Sequence, residues 1–293
     1  MRWAEQFSRR KRARRFLPPR SRRYEPPRDF AEARIRGWRR LQHWLYPPRR
    51  RPRDPHVSVQ RLDLKRLPAA LSGLRIVQLS DIHYGMYLSH ATMTRILELT
   101  TALEPDLIAL TGDFVTQSPV FIDPVCDLLG RLRAPLGVYA VLGNHDFRAG
   151  AERVAAGLRR HGIRVLRNEH CGLSVRGCEI RLAGIDDSRQ HPDLASALRP
   201  LDPERFTILL AHNPVVLGDA AALGVDFVLC GHTHGGQIKL PFAAHWYRRH
   251  APEGLLELGR TRMYVSRGLG QVILPVRVGS PPELVAFDLF RGD

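Results

Sequence analysis

Residues 74–85 read LRIVQLSDIHYG. The first six are mostly apolar and of strand length, and the run stops at Ser80, Asp81, Ile82 and His83. A short apolar run bounded in this way reads as a buried strand. Asp81 and His83 are two positions apart, so in an extended segment both side chains leave the same side of the backbone.

The pattern recurs along the chain. Residues 107–110 run into Thr111, Gly112 and Asp113, and residues 137–141 into Gly143, Asn144, His145 and Asp146. Residues 207–210 end at Ala211, His212 and Asn213, and residues 227–229 at Cys230, Gly231, His232, Thr233, His234, Gly235 and Gly236. Further strands are predicted at 163–166, 180–183, 263–265 and 284–287, with helices at 89–103, 119–132, 149–161 and 214–223. Alternating strands and helices without an internal repeat predict an α/β domain of layered sheets covered by helices. In open α/β sheets, ligands bind beyond the carboxyl ends of the strands, so five loops deliver carboxylates and imidazoles to one place.

The donors are carboxylate, amide and imidazole, a mixture that suits Mn, Fe or Zn; no thiolate joins them, which argues against a structural zinc site. Gly112, Gly143, Gly231, Gly235 and Gly236 let the backbone turn sharply and approach an ion or a phosphate. Taken singly, a histidine after a strand is more often a satisfied core or loop residue than a ligand. The combination in this order is different. Asp-x-His, Gly-Asp, Gly-Asn-His-Asp, a lone His and Gly-His-x-His together resemble the calcineurin-like metallophosphoesterase superfamily.

Leu79 to Gly85 (LSDIHYG), Ala211 to Pro214 (AHNP), Gly231 to Ile238 (GHTHGGQI), Tyr264 to Gly270 (YVSRGLG) and Pro281 to Leu284 (PPEL) extend the likeness. They resemble the bacterial membrane-associated branch that includes hydrolases of UDP-2,3-diacylglucosamine. This resemblance runs from about residue 74 to about 289, and it implies a four-layer α/β/β/α sandwich with two divalent metal ions. Carried over motif by motif, it implies Asp81, His83 and His234 on the first ion, Asn144, His212 and His232 on the second, and Asp113 bridging them. It places His145 near the leaving group, where it would act as the acid. Asp146 then either orients that imidazole or closes the turn. Asp186 and Asp187 read as a further contact or an Asx turn, and Arg267 as an anion contact or a body salt bridge.

The sequence also departs from the superfamily. Its protein phosphatases carry an arginine two residues after a second Asp in the bridging motif, whereas Asp113 is followed by Phe114, Val115, Thr116 and Gln117. The missing arginine moves the expected bond to a phosphodiester or pyrophosphate, and the resemblance implies a lipid-linked substrate such as UDP-2,3-diacylglucosamine, a step of lipid A biosynthesis. Residues 239–259, with Phe242, Trp246, Tyr247, Arg248 and Arg249, read equally as a surface for an amphiphilic substrate and as a capping loop.

Of 293 residues, 44% are hydrophobic and 25% charged, an ordinary globular composition with a net charge of +16. The excess is local: residues 1–53 hold 18 arginines and Lys11 against Glu5, Glu25, Asp29 and Glu32, and the remainder is nearly balanced. Two regions follow, a basic Arg/Pro-rich extension over 1–54 and a metallophosphoesterase domain over 55–293. Within the extension, Asp29 and Glu32 resemble a capping box, and Ala31, Ile35, Trp38, Leu41, Trp44 and Leu45 recur at helical steps among arginines.

That basic amphipathic helix reads as an anchor to an anionic membrane surface, as a helix packed on the body, or as a nucleic-acid contact. The first reading predicts a cytoplasmic protein, peripheral at the inner face of the cytoplasmic membrane. The third supports the alternative of a general phosphodiesterase or nuclease. A scaffold with a decayed site is disfavoured by the complete ligand set. Ser8, Arg9 and Arg10 lack a following apolar segment, so twin-arginine export is not expected. Cys126, Cys171, Cys178 and Cys230 show no CxxC spacing and read as free thiols, with a Cys171–Cys178 bridge as the alternative.

Overall fold

The computed structural model describes residues 54–85, 87–202, 204–239 and 250–292. One sheet has the order β1 (His56–Leu64), β12 (Glu283–Arg291), β2 (Leu74–Leu79), β3 (Leu107–Leu110), β4 (Val138–Ala140) and β5 (Arg164–Val165). The second has the order β10 (Gly254–Leu258), β11 (Thr261–Val265), β9 (Phe227–Cys230), β8 (Thr207–Leu210), β7 (Cys178–Gly184) and β6 (Glu169–Val175). From β2 to β5, and from β7 through β8 and β9 to β11, neighbouring strands are parallel. Their carboxyl ends therefore lie on one side of each sheet.

Period-two alternation assigns the faces. On β2, Leu74 and Ile76 join the core between the sheets with Leu107, Ala109, Ile208, Leu210, Phe227 and Leu229. Val77 and Leu79 point the other way, onto α1 (His90–Ala102), α2 (Ile122–Leu129) and α3 (Asn144–Arg160). The outer face of the second sheet, including Leu209, Val228 and Met263, packs on α4 (Leu194–Ala197) and α5 (Leu217–Ala222). The result is the expected α/β/β/α sandwich. Full burial of a Leu, Ile or Phe stabilises by roughly 1.5–3 kcal/mol, so the sheet-to-sheet core is what holds the loop-bearing strand ends in register.

Local signals explain the helices. Ser89 caps α1 by accepting the Thr92 N–H at 3.1 Å, and Met93, Ile96, Leu97 and Thr100 form its buried stripe. α3 begins five residues before the predicted start, because Asn144, His145 and Asp146 themselves make the first turn. Asp146 accepts the Gly143 N–H at 2.9 Å there, and the chain kinks at Gly150, φ 128°.

The strands without a prediction, β1, β6 and β10, all stand at sheet edges. Each has one strand neighbour and a half-exposed face, so their sequences, such as HVSVQRLDL in β1, carry no apolar run. The four cysteines are free, and Cys178 lies opposite Val175 and Cys171 opposite Leu182, so no bridge spans that hairpin.

The predicted peripheral position at the inner membrane face is corrected here. Among the described residues no helix is long and apolar enough to cross a membrane, and the body's bases and acids nearly balance, leaving it no basic excess for anionic lipid. The amphipathic helix that prompted the expectation lies, like all of residues 1–53, outside the described residues. So do Phe242, Trp246, Tyr247, Arg248 and Arg249.

Candidate metal centre

Both sheets contribute to one site. Where β2, β3 and β4 end, the chain presents Asp81, His83, Asp113, Asn144 and His145; where β8 and β9 end, it presents His212, His232 and His234. Gln78, the last inward-facing residue of β2, ties the sheets together beside it. Its Nε2 donates to Thr111 Oγ1 and to the Cys230 carbonyl, each at 2.9 Å.

The ligand atoms form two groups. Asp81, His83 and His234 offer donors within 4.8 Å of one another, and so do Asp113, His212 and His232. Asp113 Oδ2 stands between the groups, 3.7 Å from His83 Nε2 and 3.2 Å from His212 Nε2. Asn144 is buried, and its Oδ1 has no hydrogen-bond partner among the described residues. The Nε2 atoms of His83 and His234 face each other at 3.1 Å.

Burial lowers the proton affinity of the imidazoles, His83 to about 3 and His232 to about 4, and with the Arg277 charge it takes His234 well below its usual value. Neutral imidazole is the form that ligates a cation; at 3.1 Å the two Nε2 atoms share one proton in a hydrogen bond, and a cation would take that proton's place. Burial acts on His212 as well, but the adjacent Asp113 carboxylate overrides it and raises that imidazole to about 10. Burial works to raise Asp113, and its histidine neighbours, His212 foremost, hold it below the usual carboxylate range. An orphaned buried oxygen, facing imidazole nitrogens and a carboxylate between two donor groups fit a pair of divalent cations.

The backbone carries a second signal. Asp81, His83, Asp113, His232 and His234 have φ of 51°, 47°, 56°, 73° and 51°. Non-glycine residues in this left-handed region cost about 1–3 kcal/mol each and persist where surrounding structure enforces them. Here the loops bind one another. Asp81 N–H donates to the Gly112 carbonyl at 2.9 Å, His83 N–H to the Asp113 carbonyl at 3.0 Å, and Gly231 N–H to the His212 carbonyl at 3.0 Å. The Asp81 carboxylate accepts the His232 N–H and the Ser80 hydroxyl. Two glycines allow this closeness: a Cβ on Gly143 would strike Asp113, and one on Gly231 would strike Ser80 and Asp81.

His145 is half-buried. Its N–H donates to Asp113 Oδ1 at 2.8 Å, its Nδ1 contacts the Thr116 carbonyl, and its ring stands edge-on to His83 with centroids 5.0 Å apart. Asp146 does not touch that ring. It accepts backbone N–H groups of Asp113, Phe114, Val115 and Gly143. It is the residue that closes the turn, and burial, then the Asp113 charge, raise it to about 7.

Asp187 accepts the Arg189 N–H in an Asx turn, and Asp186 pairs with Arg167. Arg267 is bound to Glu283 at 2.9 Å, the body salt bridge rather than an anion contact.

Arg277 escaped the sequence reading. Its half-buried guanidinium lies 3.0 Å from His234 Nδ1 and donates to the carbonyls of Gly268, Gly270 and Ser280. Burial lowers it to about 10. Among the described residues no carboxylate is salt-bridged to it. The available signal was a single charge inside the apolar stretch VILPVRV, residues 272–278.

Residues 74–236 match the family described as calcineurin-like phosphoesterase. The chain is 35% identical over 248 residues to the uncharacterized metallophosphoesterase YkuE of Bacillus subtilis, covering 80% of this chain and 87% of that protein. It is 32% identical over 240 residues to an uncharacterized metallophosphoesterase of Aquifex aeolicus, covering 78% and 89%. A Bos taurus transmembrane protein with metallophosphoesterase domain is 32% identical over 248 residues, and there the match covers 78% of this chain but 56% of the relative.

Proposed function

We propose, from the premise that this chain belongs to the calcineurin-like phosphoesterase family and is a metal-dependent phosphoester hydrolase, that it cleaves phosphodiester or pyrophosphate bonds at a two-ion centre. Asp81, His83 and His234 would hold one ion and Asn144, His212 and His232 the other, with Asp113 shared. The observation that carries this is the placement of Asp113 Oδ2 between the two donor groups, 3.7 Å from His83 and 3.2 Å from His212. When bound, such a cation pair supplies positive charge that neutralises the attacked phosphoryl group and activates water for in-line displacement. Mn, Fe and Zn all suit the donor set.

His145 is the general acid. With Nδ1 engaged by the Thr116 carbonyl, the ring is fixed and Nε2 is the atom left to give a proton to the departing oxygen. Phe114 and Val115, both fully buried after Asp113, supply no charge for the free oxygens of a monoester, which supports a diester or pyrophosphate. Arg189 offers a cation from another loop. It is exposed, its N–H is fixed by Asp187, and its guanidinium makes no ion pair among the described residues.

A screen of the Mn-, Fe- and Zn-loaded protein against monoester, diester, pyrophosphate and lipid-linked substrates tests this. Cleavage confined to monoesters refutes it. The narrower reading, hydrolysis of UDP-2,3-diacylglucosamine to a lipid monophosphate and UMP, rests on the short sequence likenesses alone. That compound left intact beside a cleaved generic diester ends the narrower reading and keeps the wider one.

A further inference from the structure

A cavity of 370 Å³ opens where β7 and β8 end, between the loop leading to α4 and the turn leading to α5. Its volume lies in the lower part of the ~300–1,000 Å³ range of small-molecule sites. His212, a member of the second donor group, forms part of the wall with its imidazole fully buried against Asp113, so the cavity lies beside the candidate metal centre. We propose that this cavity is the subsite for the organic group esterified to the phosphate, and that it takes a neutral, partly apolar alcohol rather than a second phosphate.

The lining carries the argument, which rests on the phosphoesterase reading. Ile185, Leu194, Val215, Val216 and Leu223 make an aliphatic wall. Beside His212, which is turned to Asp113, the charged residues of the lining are the carboxylates Asp186, Asp193 and Asp219; among the described residues neither lysine nor arginine lines it. Asp186 is held by Arg167, whose guanidinium is also engaged by Glu152, and Asp193 accepts the Ser196 N–H and hydroxyl. A phosphate placed here would meet three acids and no cation but His212, whose ring is buried against Asp113, at a Coulombic cost that grows as water is excluded.

A neutral group meets apolar carbon and two hydrogen-bonding side chains. Asn213 Oδ1 accepts the Val215 N–H at 3.2 Å, which leaves its amide NH₂ to donate, and Ser188 adds a hydroxyl. The lining thus favours a diester whose second alcohol has a compact carbon skeleton and an acceptor oxygen.

The test uses two diesters that release p-nitrophenolate and differ in the second ester group, ethyl or phenyl. Burial of the ring's extra apolar area predicts a phenyl preference in kcat/KM on the order of tenfold for the Mn-loaded full chain. Ala195→Phe and Val215→Phe fill the cavity from opposite walls, and either variant that folds, checked by circular dichroism, brings the ratio to about one. An equal rate for both diesters in the unmodified protein, or a preference retained in both filled variants, overturns the proposal.

If no diester is cleaved with any metal, the phosphoesterase reading fails. Calorimetry with phenylphosphonate against methylphosphonate then still decides the cavity. Tighter phenylphosphonate binding that is lost in the filled variants supports the subsite, and equal binding overturns it.

Discussion

Gly143→Ala places one methyl group at the tightest point of the site. The added Cβ would lie 2.5 Å from the Asp113 backbone nitrogen and closer still to its carboxylate. Asp113 has no slack, because its N–H is held by Asp146 at 2.8 Å and its Oδ1 accepts the His145 N–H at 2.8 Å. Relieving the contact therefore moves the carboxylate, the turn or both, by on the order of 1 Å. Overpacking of this kind costs about 1–3 kcal/mol, and a displacement of that size at a reacting centre costs roughly 10²-fold in rate.

The expected result is a loss of about 1–3 kcal/mol in urea denaturation, a second Mn equivalent that no longer binds in calorimetry, and diester turnover reduced about 10²-fold. Gly218→Ala is the control. Gly218 lies in α5 with open space around its added Cβ and no positive φ, so the substitution stabilises by roughly 0.5–1 kcal/mol. A Gly143→Ala protein that unfolds within about 0.5 kcal/mol of the unmodified one, binds two Mn and turns over normally would refute the close-packed account of the centre.

His145→Gln keeps both Mn equivalents in calorimetry but lowers diester kcat by about 10²–10⁴-fold, with the smallest loss on the diester whose leaving alcohol is most acidic; an unchanged kcat removes His145 from the mechanism. Mn added to metal-stripped protein raises the melting temperature, by an increment equivalent to about 2.7 kcal/mol per ion at a hundredfold excess over Kd, and EDTA reverses it; a midpoint insensitive to both contradicts the two-ion site. Arg277→Met leaves the carbonyls of Gly270 and Ser280 without the Arg277 donor, while Gly268 keeps the Glu283 N–H, and destabilises by about 3 kcal/mol in urea, with Arg277→Lys intermediate.

The sequence alone determined where along the chain the candidate donors lie. Residues 74–79, 107–110 and 207–210 were legible as strands at their observed limits, because central strands buried on both faces are mostly apolar runs with sharp polar ends. Those polar ends named Asp81, His83, Asp113, Asn144, His212, His232 and His234, and covalent order could bring them together because parallel strands finish on the same side.

Edge strands β1, β6 and β10 were illegible for the converse reason: a half-exposed strand takes its conformation from its neighbour. The motif resemblance already implied two donor groups with Asp113 between them; only the tertiary structure supplied the distances, 3.7 Å from Asp113 Oδ2 to His83 and 3.2 Å to His212. Only there did five of them adopt left-handed backbone, since loops that hydrogen-bond across the two sheets impose φ values their own side chains disfavour. Arg277, 43 residues beyond His234, and the cavity beside His212 belong to the same class. Their partners are distant in the chain, and no local pattern encodes a contact that exists only after two sheets have closed on each other.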